Sequence, residues 1–280
     1  MASRIELAQR SLSPVFRHTI TQQYRKFGRH WRTRFERELV LSIDDVPKAV
    51  KAYCDFSMEA MRLQAEFAKT LKYAPAVEPY HDDRYMTDVY LPALLLSNYL
   101  WPHHYQVLQW FYANAIPSMR AAHRFCDVGT GTGFYSKELL VALGGIQGHG
   151  FDISKASVKY ANGLMRKWDV ARRYTTTVGE VEPGAFDAFL CVELLEHLTH
   201  PSTFLVGLRE AVIPGAVGFV TAALDAANRD HIFLYRTAGE VWAHLETAGF
   251  TVLDSETFTA YEGDVVPRIA AFVVQADDTR

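Results

Sequence analysis

The stretch FCDVGTGTGFYSKEL, residues 125–139, decides the fold of this chain. A short apolar run and an acid are followed by glycine at every second position, Gly129, Gly131 and Gly133, and then by residues that can begin a helix. Ligands of open α/β sheets bind at such strand-to-helix turns. Glycine there lets a ligand approach the backbone and permits the positive φ angles of a tight turn. The sequence therefore predicts a ligand-binding loop.

The chain around this loop alternates short apolar runs with helical windows. The apolar runs are HRFCDV, GHGFDI, RYTTTVG, FDAFLCV, GAVGFVTAA, TVLDSET and IAAFVVQA, and the helical windows are SKELLVALG, SVKYANGLMRKW, STFLVGLREAV and TAGEVWAHLETAGF. Parallel neighbouring strands need helical crossovers, so this alternation predicts a doubly wound, mostly parallel α/β sheet. The last two runs have no helix between them, which predicts an antiparallel hairpin at the edge.

The first part of the chain has helical spacing and no strand-turn alternation. We expect residues 1–120 to form a helical cap with the substrate pocket and oligomer contacts, and residues 121–280 to form the ligand-binding domain. Aromatic residues just before the sheet are expected to line the pocket or, alternatively, to form the core of the cap. The candidates are Tyr80, Tyr85, Tyr90, Trp101 and Tyr105 as walls and His103 and His104 as bases.

A first helix is expected from about residue 5 to residue 39. It combines apolar residues such as Leu7, Phe16 and Trp31 with many arginines. Such a helix is too apolar to stand free in water and too basic to be buried whole, so it packs on its own cap or on a neighbouring subunit. We predict the second arrangement, a homo-oligomer through the N-terminal helices.

Composition limits the class of protein. The net charge of -3 gives no general attraction to nucleic acid or to an anionic membrane. No apolar stretch approaches the ~20 residues that span a bilayer. The chain has three cysteines, an odd number, and their spacing suits neither a disulfide framework nor a zinc ribbon; they are Cys54, Cys126 and Cys191. We therefore expect a cytoplasmic protein with neither a nucleic-acid nor a membrane partner.

The loop also excludes two ligand classes. A dinucleotide fingerprint would place its last glycine or alanine at Phe134, and the Gly-Lys-Ser/Thr of a P-loop is absent. Asp127, two residues before Gly129, suits a cationic or amine-bearing ligand better than a phosphate.

DVGTGTG, with FDI at the next strand end, resembles the S-adenosylmethionine-dependent methyltransferases of the Rossmann-like class, over roughly residues 121–275. The resemblance implies a seven-stranded Rossmann-like sheet, S-adenosyl-L-methionine as cofactor and S-adenosyl-L-homocysteine as product. It also implies that the acid and loop flank the methionyl part, that the second strand end binds the ribose, and that an acid after the third strand lies near the adenine. The corresponding residues are Asp127, Gly129, Thr130, Gly131 and Gly133, then Asp152 with Ile153, then Glu180, with Glu193 after the fourth strand.

Each acid has an alternative role. Asp127 can order the turn, Asp152 can cap the following helix, and Glu180 can be a solvated loop acid.

The segment CVELLEHLTHP carries the chemistry. Glu193, Glu196, His197 and His200 are spaced i, i+3, i+4 and i+7, so they share one face if the segment is helical. Such a face can supply a general base, a proton shuttle or metal ligands. The catalytic candidates are His197, Glu193, His103, His104 and His231.

E-x-x-E-H is similar to the motif that binds a divalent metal in small-RNA 2′-O-methyltransferases and ubiquinone-pathway O-methyltransferases, where a distant residue completes the site. The metal candidates here are Glu193, Glu196, His197 and His231. Metal-free members of the family carry a similar segment, with the histidine packed under the cleft. We take the metal-free form as the expectation.

The function expected is methyl transfer to a small molecule, of the kind found in specialised metabolism. The acceptor atom, O, N or C, stays open, as does a cyclisation coupled to the transfer. The alternatives are an RNA 2′-O-methyltransferase-like enzyme with a divalent metal and a non-catalytic regulator that binds the cofactor.

Overall fold

A computed structural model describes residues 14–181 and 183–278 of the chain. The main helices are α1 Pro14–Ser42, α2 Val46–Thr70, α3 Leu91–Leu100, α4 Pro102–Trp110, α5 Phe134–Ala142, α6 Lys155–Lys167, α7 Pro201–Ala211 and α8 Ala238–Thr247. The short helical turns are Asp83–Tyr85, Met86–Tyr90, Phe111–Ala115, Ile116–Ser118, Ala171–Arg173 and Leu195–His197. The strands are β1 Arg124–Val128, β2 Gln147–Asp152, β3 Tyr174–Val178, β4 Phe186–Cys191, β5 Val212–Leu224, β6 Phe250–Thr259 and β7 Arg268–Ala276.

The strands of the described ranges form one seven-stranded sheet in the order β3-β2-β1-β4-β5-β7-β6. Strands β1 to β5 pair in parallel, while β7 is antiparallel to both β5 and β6. The predicted α/β fold class and its edge hairpin are confirmed. The parallel order brings the carboxyl ends of β1, β2, β4 and β5 to one edge of the sheet, which is where the ligand-binding loop lies.

The helical extension shares a hydrophobic core with one face of the sheet. Trp31 and Phe35 of α1, Tyr99 of α3 and Phe134 of α5 are buried in the same cluster. Helices α7 and α8 cover the other face, where a second cluster forms. The extension is therefore packed onto the sheet through a continuous core.

Helix α1 packs on its own chain. It kinks at Gly28, whose φ of 71° is in the left-handed region that favours glycine, and several large apolar side chains are buried on each side of the kink. Phe16 and Trp31 are each 0% exposed. The described part of the helix thus packs largely on its own chain, and a homo-oligomer through this helix stays a prediction. The expected start near Ile5 and Leu7 lies outside the described residues.

A buried ionic cluster fastens α1 to α5. Lys137 Nζ is fully buried, 2.7 Å from a Glu38 carboxylate oxygen and 2.5 Å from one of Glu138. Arg34 of α1 also donates to Glu138, at 3.0 Å. A buried pair of this kind is costly to break, since each lost partner leaves an uncompensated charge.

Candidate active site

A cavity of about 1280 Å³ opens at the carboxyl edge of the sheet. The sheet supplies the loop after β1 and the ends of β2, β4 and β5, while α2, α3, α4 and the chain between α2 and α3 supply the opposite wall. Pockets that bury one small ligand are about 300 to 1,000 Å³. This cavity therefore has room for a cofactor and a second molecule.

The glycine loop has the conformation that its sequence predicts. The φ angles of Gly129, Gly131 and Gly133 are 68°, 51° and 73°. A Cβ at Gly129 would lie 2.8 Å from Leu194 Cδ1, so a larger residue there would have to displace the Leu194 side chain. A Cβ at Gly131 would have nothing closer than a backbone oxygen at 3.8 Å. Gly131 thus leaves space for a ligand to approach the backbone.

Asp127 is buried beneath this loop at the cavity wall. Its carboxylate accepts hydrogen bonds from Thr130 Oγ1 at 2.7 Å and Ser136 Oγ at 2.6 Å. Burial raises the pKa of Asp127 to about 6. The side chain therefore orders the turn while it lines the cavity with Thr130.

Asp152 joins the second strand end to the glycine loop. Its two carboxylate oxygens accept from Gly131 N and from Ser154 N, each at 2.8 Å, and burial raises its pKa. Ser154, not Asp152, is the N-cap of α6, so the capping alternative is wrong. Exposed Ile153 and Glu180 also line the cavity.

The segment from Glu193 to His200 is not an α-helix, so the condition for one shared helical face is not met. Glu193 has a φ of +49°, and only Leu195–His197 form a short 3₁₀ turn. The Glu196 carbonyl accepts from the N–H groups of Ile232 and Phe233 instead of from a following helical turn. His200 is exposed and occupies the N-cap position of α7. It also precedes Pro201, which disfavours helical backbone.

Three of the candidate metal ligands nevertheless meet. Glu196, His197 and His231 offer ligand atoms that all lie within 4.8 Å of one another. His231 Nδ1 lies 2.7 Å from the Ala226 carbonyl and His197 Nδ1 lies 3.0 Å from the Asp230 carbonyl. Because a carbonyl only accepts, both Nδ1 atoms carry the proton and both Nε2 atoms are left as acceptors.

Glu196 is a fully buried acid beside the two imidazoles. The side chain is 0% exposed, and in the described part of the chain neither oxygen has a hydrogen-bond partner. Burial raises its pKa well above the usual value. Burial also raises the pKa of neighbouring Glu193 to about 7, while Thr221 Oγ1 donates to Glu193 at 2.7 Å. A buried acid beside two imidazoles is a donor set suited to a divalent cation.

The two histidines of α4 line the cavity but are poor proton acceptors. They pack against Trp101, with ring centroids 5.9 Å away for His103 and 4.9 Å away for His104. Burial lowers the pKa of His104 to about 3 and that of His103 well below its usual value. A general base works best when its pKa is near the working pH. Both line the cavity wall, and their lowered pKa values argue against the assignment as bases.

Of the aromatic candidates, Tyr80, Tyr90 and Trp101 line the cavity. Tyr85 and Tyr105 pack in the cap instead; Tyr105 is 1% exposed. The analysis of the sequence missed Asp230 and Thr221. The signal available for Asp230 was its position directly before His231. Thr221 lies within a buried strand and gave no signal.

We expect His104→Gln to make the protein less sensitive to acid. The pKa of His104 is about 3 in the folded protein and ~6.5 in the unfolded chain. The neutral buried ring therefore contributes stability that is fully present above pH ~6.5 and is lost as the pH falls toward 3, because the unfolded chain binds the proton first. The free energy of unfolding falls by at most about 1.4 kcal/mol per pH unit for one such ring. Urea unfolding of both proteins between neutral and acidic pH measures it, with exposed His30→Gln as the control. Equal acid sensitivity in His104→Gln and the wild type would contradict the burial argument.

A doubly wound sheet in this order, a glycine loop after β1 and an acid at the end of β2 define the class I, Rossmann-like S-adenosylmethionine-dependent methyltransferases. Residues 126–217 of the chain match the family model described as a methyltransferase domain, so this part is a methyltransferase domain of that class. The family's cofactor is S-adenosylmethionine.

Two curated relatives share part of the chain. A ubiquinone biosynthesis O-methyltransferase of Dechloromonas aromatica (strain RCB) is 31% identical over 117 residues, 40% of this chain and 49% of the relative. One of Chromobacterium violaceum is 34% identical over 99 residues, 34% of this chain and 42% of the relative. The chain thus spans less than half the length of these relatives.

Among solved structures, an O-methyltransferase family protein from Burkholderia thailandensis has a similar fold. It has a TM-score of 0.57 and 11% identity, and the match covers 82% of this chain and 72% of the other. At this identity, the likeness concerns the fold alone. Within the described residues, no helix is both long and apolar enough to cross a membrane.

Proposed function

We propose that this protein transfers a methyl group from S-adenosylmethionine to a hydroxyl of a neutral, largely apolar small molecule. One observation carries the proposal: a single cavity contains the glycine loop with Asp152 and, beside them, the cluster of Glu196, His197 and His231. The first part fits the cofactor, and the second fits the handling of a proton on the acceptor.

The charge of the cavity supports a neutral acceptor. Among the described residues that line it, Arg268 is the sole lysine or arginine. Its guanidinium is already 2.5 Å from an Asp225 carboxylate oxygen and 2.8 Å from the Arg236 carbonyl. A phosphate or carboxylate on the acceptor would therefore lose its hydration in the cavity and find no unpaired lysine or arginine there to compensate for its charge. This argues against the RNA alternative, because phosphates dominate the affinity of proteins for nucleic acid.

The cap wall supports an apolar acceptor. Phe56, Leu94, Trp101 and Val107 lie on it, and the methionines Met58 and Met61 stand exposed at 57% and 71%. Methionine side chains adapt to irregular apolar ligands. An extended or aromatic molecule would bury these side chains when it binds.

An oxygen acceptor is supported by the names of the curated relatives and by the proton acceptor in the site. As the acceptor oxygen attacks the methyl carbon in line, an O–C bond forms and the S–C bond breaks, with its electron pair left on sulfur. The hydroxyl proton passes to His197 Nε2, which the Nδ1 contact leaves free to accept. The cavity walls hold the two reactants in line and exclude water.

The orphaned Glu196 carboxylate favours a second form of this function. In this form Glu196, His197 and His231 would hold a divalent cation, with Glu193 beside them. Such a cation would act as a Lewis acid that lowers the pKa of the acceptor hydroxyl. The Ala226 and Asp230 carbonyls would then orient the two imidazoles as ligands.

For the metal form, we expect chelation to abolish activity and Mn²⁺, Zn²⁺ or Mg²⁺ to restore it. Calorimetric titration of the chelated protein with Mn²⁺ measures binding without turnover. Glu196→Gln should weaken that binding by at least about tenfold, since a charged ligand is lost. Glu246→Gln, an exposed acid on α8, is the control. Full activity after exhaustive chelation would leave the metal-free form.

Labelled cofactor tests the function directly. The protein is incubated with methyl-labelled S-adenosylmethionine and separate pools of total RNA, phenolic and aliphatic small-molecule extracts, and their acidic fractions. Label in a neutral small-molecule fraction supports the proposal. Label in RNA would favour the RNA alternative, and cofactor binding without label anywhere would favour the regulator. A cytoplasmic location and a homo-oligomer stay predictions.

A further inference from the structure

We infer that two tyrosines of the helical extension, Tyr80 and Tyr90, are positioning residues for His197, acting through the buried carboxylate of Asp230. The packing of the helical extension onto the sheet then also sets the orientation of the His197 ring. The inference rests on the proposed function only in taking His197 as the group that faces the acceptor.

Asp230 is the buried carboxylate that connects the two tyrosines to His197. It is 0% exposed and lies behind His197, not on the cavity wall. Tyr90 OH donates to Asp230 Oδ2 at 2.6 Å, and Tyr80 OH donates to the same oxygen at 3.1 Å. A buried carboxylate is costly unless donors satisfy it. Removal of the tyrosine hydroxyls therefore removes the side-chain hydrogen bonds that Asp230 Oδ2 accepts from the cap.

His197 is held between this carboxylate and the cap. Its Nδ1 is 3.1 Å from Tyr80 OH, 3.0 Å from the Asp230 carbonyl and 3.5 Å from Asp230 Oδ2. The side chain itself is 12% exposed and lines the cavity. All three contacts are on the Nδ1 side of the ring, so they direct Nε2 away from Asp230 and toward the cavity.

The two tyrosine hydroxyls reach Asp230 from different parts of the cap. Tyr80 lies in the stretch between α2 and the short helix Asp83–Tyr85, and its ring packs edge to face on the His197 ring. Tyr90 ends the π-helical turn Met86–Tyr90 and packs edge to face on Phe56 of α2. Single π turns are frequent at functional sites because they shift the residues that follow around the helix.

Positioning of His197 by these tyrosines has a kinetic signature. A tyrosine that only stabilises the cap affects the rate whether or not His197 is present. A tyrosine that positions His197 affects the rate only through it, so its effect disappears when the imidazole is removed.

The experiment is a double-mutant cycle on the full chain. Tyr80→Phe and Tyr90→Phe are each expected to lower kcat about ten- to a hundredfold, with the Kd for S-adenosylhomocysteine unchanged. In a His197→Ala background, the same two changes should lower the residual rate less than about twofold. Tyr105→Phe is the matched control, because its hydroxyl is also buried in the cap but has no hydrogen-bond partner in the described part of the chain.

A second measurement does not depend on turnover. In long-range ¹H–¹⁵N spectra of protein with ¹⁵N-labelled histidine, the His197 Nδ1 resonance should shift in Tyr80→Phe and Asp230→Asn and stay in place in Tyr105→Phe. Equal losses of kcat with and without the His197 imidazole, or an unmoved Nδ1 resonance in Tyr80→Phe, would overturn the inference. If the wild type methylates nothing, the proposed function fails while the spectra still decide the positioning.

Discussion

Asp152→Ala is expected to weaken the binding of S-adenosylmethionine and S-adenosylhomocysteine by about a hundredfold or more. By the family resemblance, this carboxylate accepts two ribose hydroxyls, and hydrogen bonds to a charged group contribute about 1.5 to 3 kcal/mol each. The substitution also frees Gly131 N and Ser154 N, which the carboxylate holds at 2.8 Å. Calorimetric titration of both variants with each ligand measures the loss.

Asp187→Ala is the matched control for this change. Asp187 also accepts from two backbone N–H groups, those of His123 and Arg124, but at the amino end of β4, on the opposite edge of the sheet. Its loss removes the same kind of backbone contact without touching the cavity. Cofactor affinity equal to wild type in Asp152→Ala would show that the strand-end assignment is mistaken.

His197→Ala is expected to lower kcat by about 10² to 10⁴ with the affinity for the cofactor unchanged. A positioned proton acceptor contributes about that factor, and the cofactor loop with Asp152 belongs to other elements of the chain. In the metal form the loss has the same size or more, since a ligand is removed. Single-turnover rates with labelled cofactor, once an acceptor is known, measure the effect together with cofactor binding.

His244→Ala serves as the control for the loss of an imidazole. His244 is on α8, on the opposite face of the sheet, where its Nδ1 contacts Tyr235 OH at 2.9 Å. It should change stability slightly and kcat little. A His197→Ala enzyme that turns over at the wild-type rate would remove His197 from the chemistry and leave Glu193, whose pKa is about 7, as the base to test.

Several features could be predicted from the sequence because they depend on residues close together in the chain. Strand-to-helix alternation fixes the sheet, since each apolar run must be buried by its neighbours. The glycine loop needs only its own φ angles and a missing Cβ, both of which the letters of residues 125–139 encode. His231 is distant in the chain and was a candidate only through the resemblance to the metal-binding E-x-x-E-H motif; the structure places it with Glu196 and His197.

The local rule failed at the segment after β4. A helix would have put His200 on the same face as Glu196, but the segment is not helical, and the Glu196 carbonyl instead accepts from Ile232 and Phe233. That pairing comes from a loop more than 30 residues away in the chain, and no helical periodicity records it. Backbone hydrogen bonds made over such distances override a local preference.

The sequence by itself determined the sheet, the turn at the end of β1 and the acid at the end of β2, because periodicity and glycine conformation act over a few residues. Only the tertiary structure decided which way the cap faces and which side chains share the cavity. Tyr80 and Tyr90 reach Asp230 across 150 and 140 positions of the chain. Their hydroxyls meet its carboxylate because the packing of α2 and α3 over the sheet edge brings together groups whose separation in the sequence carries no signal.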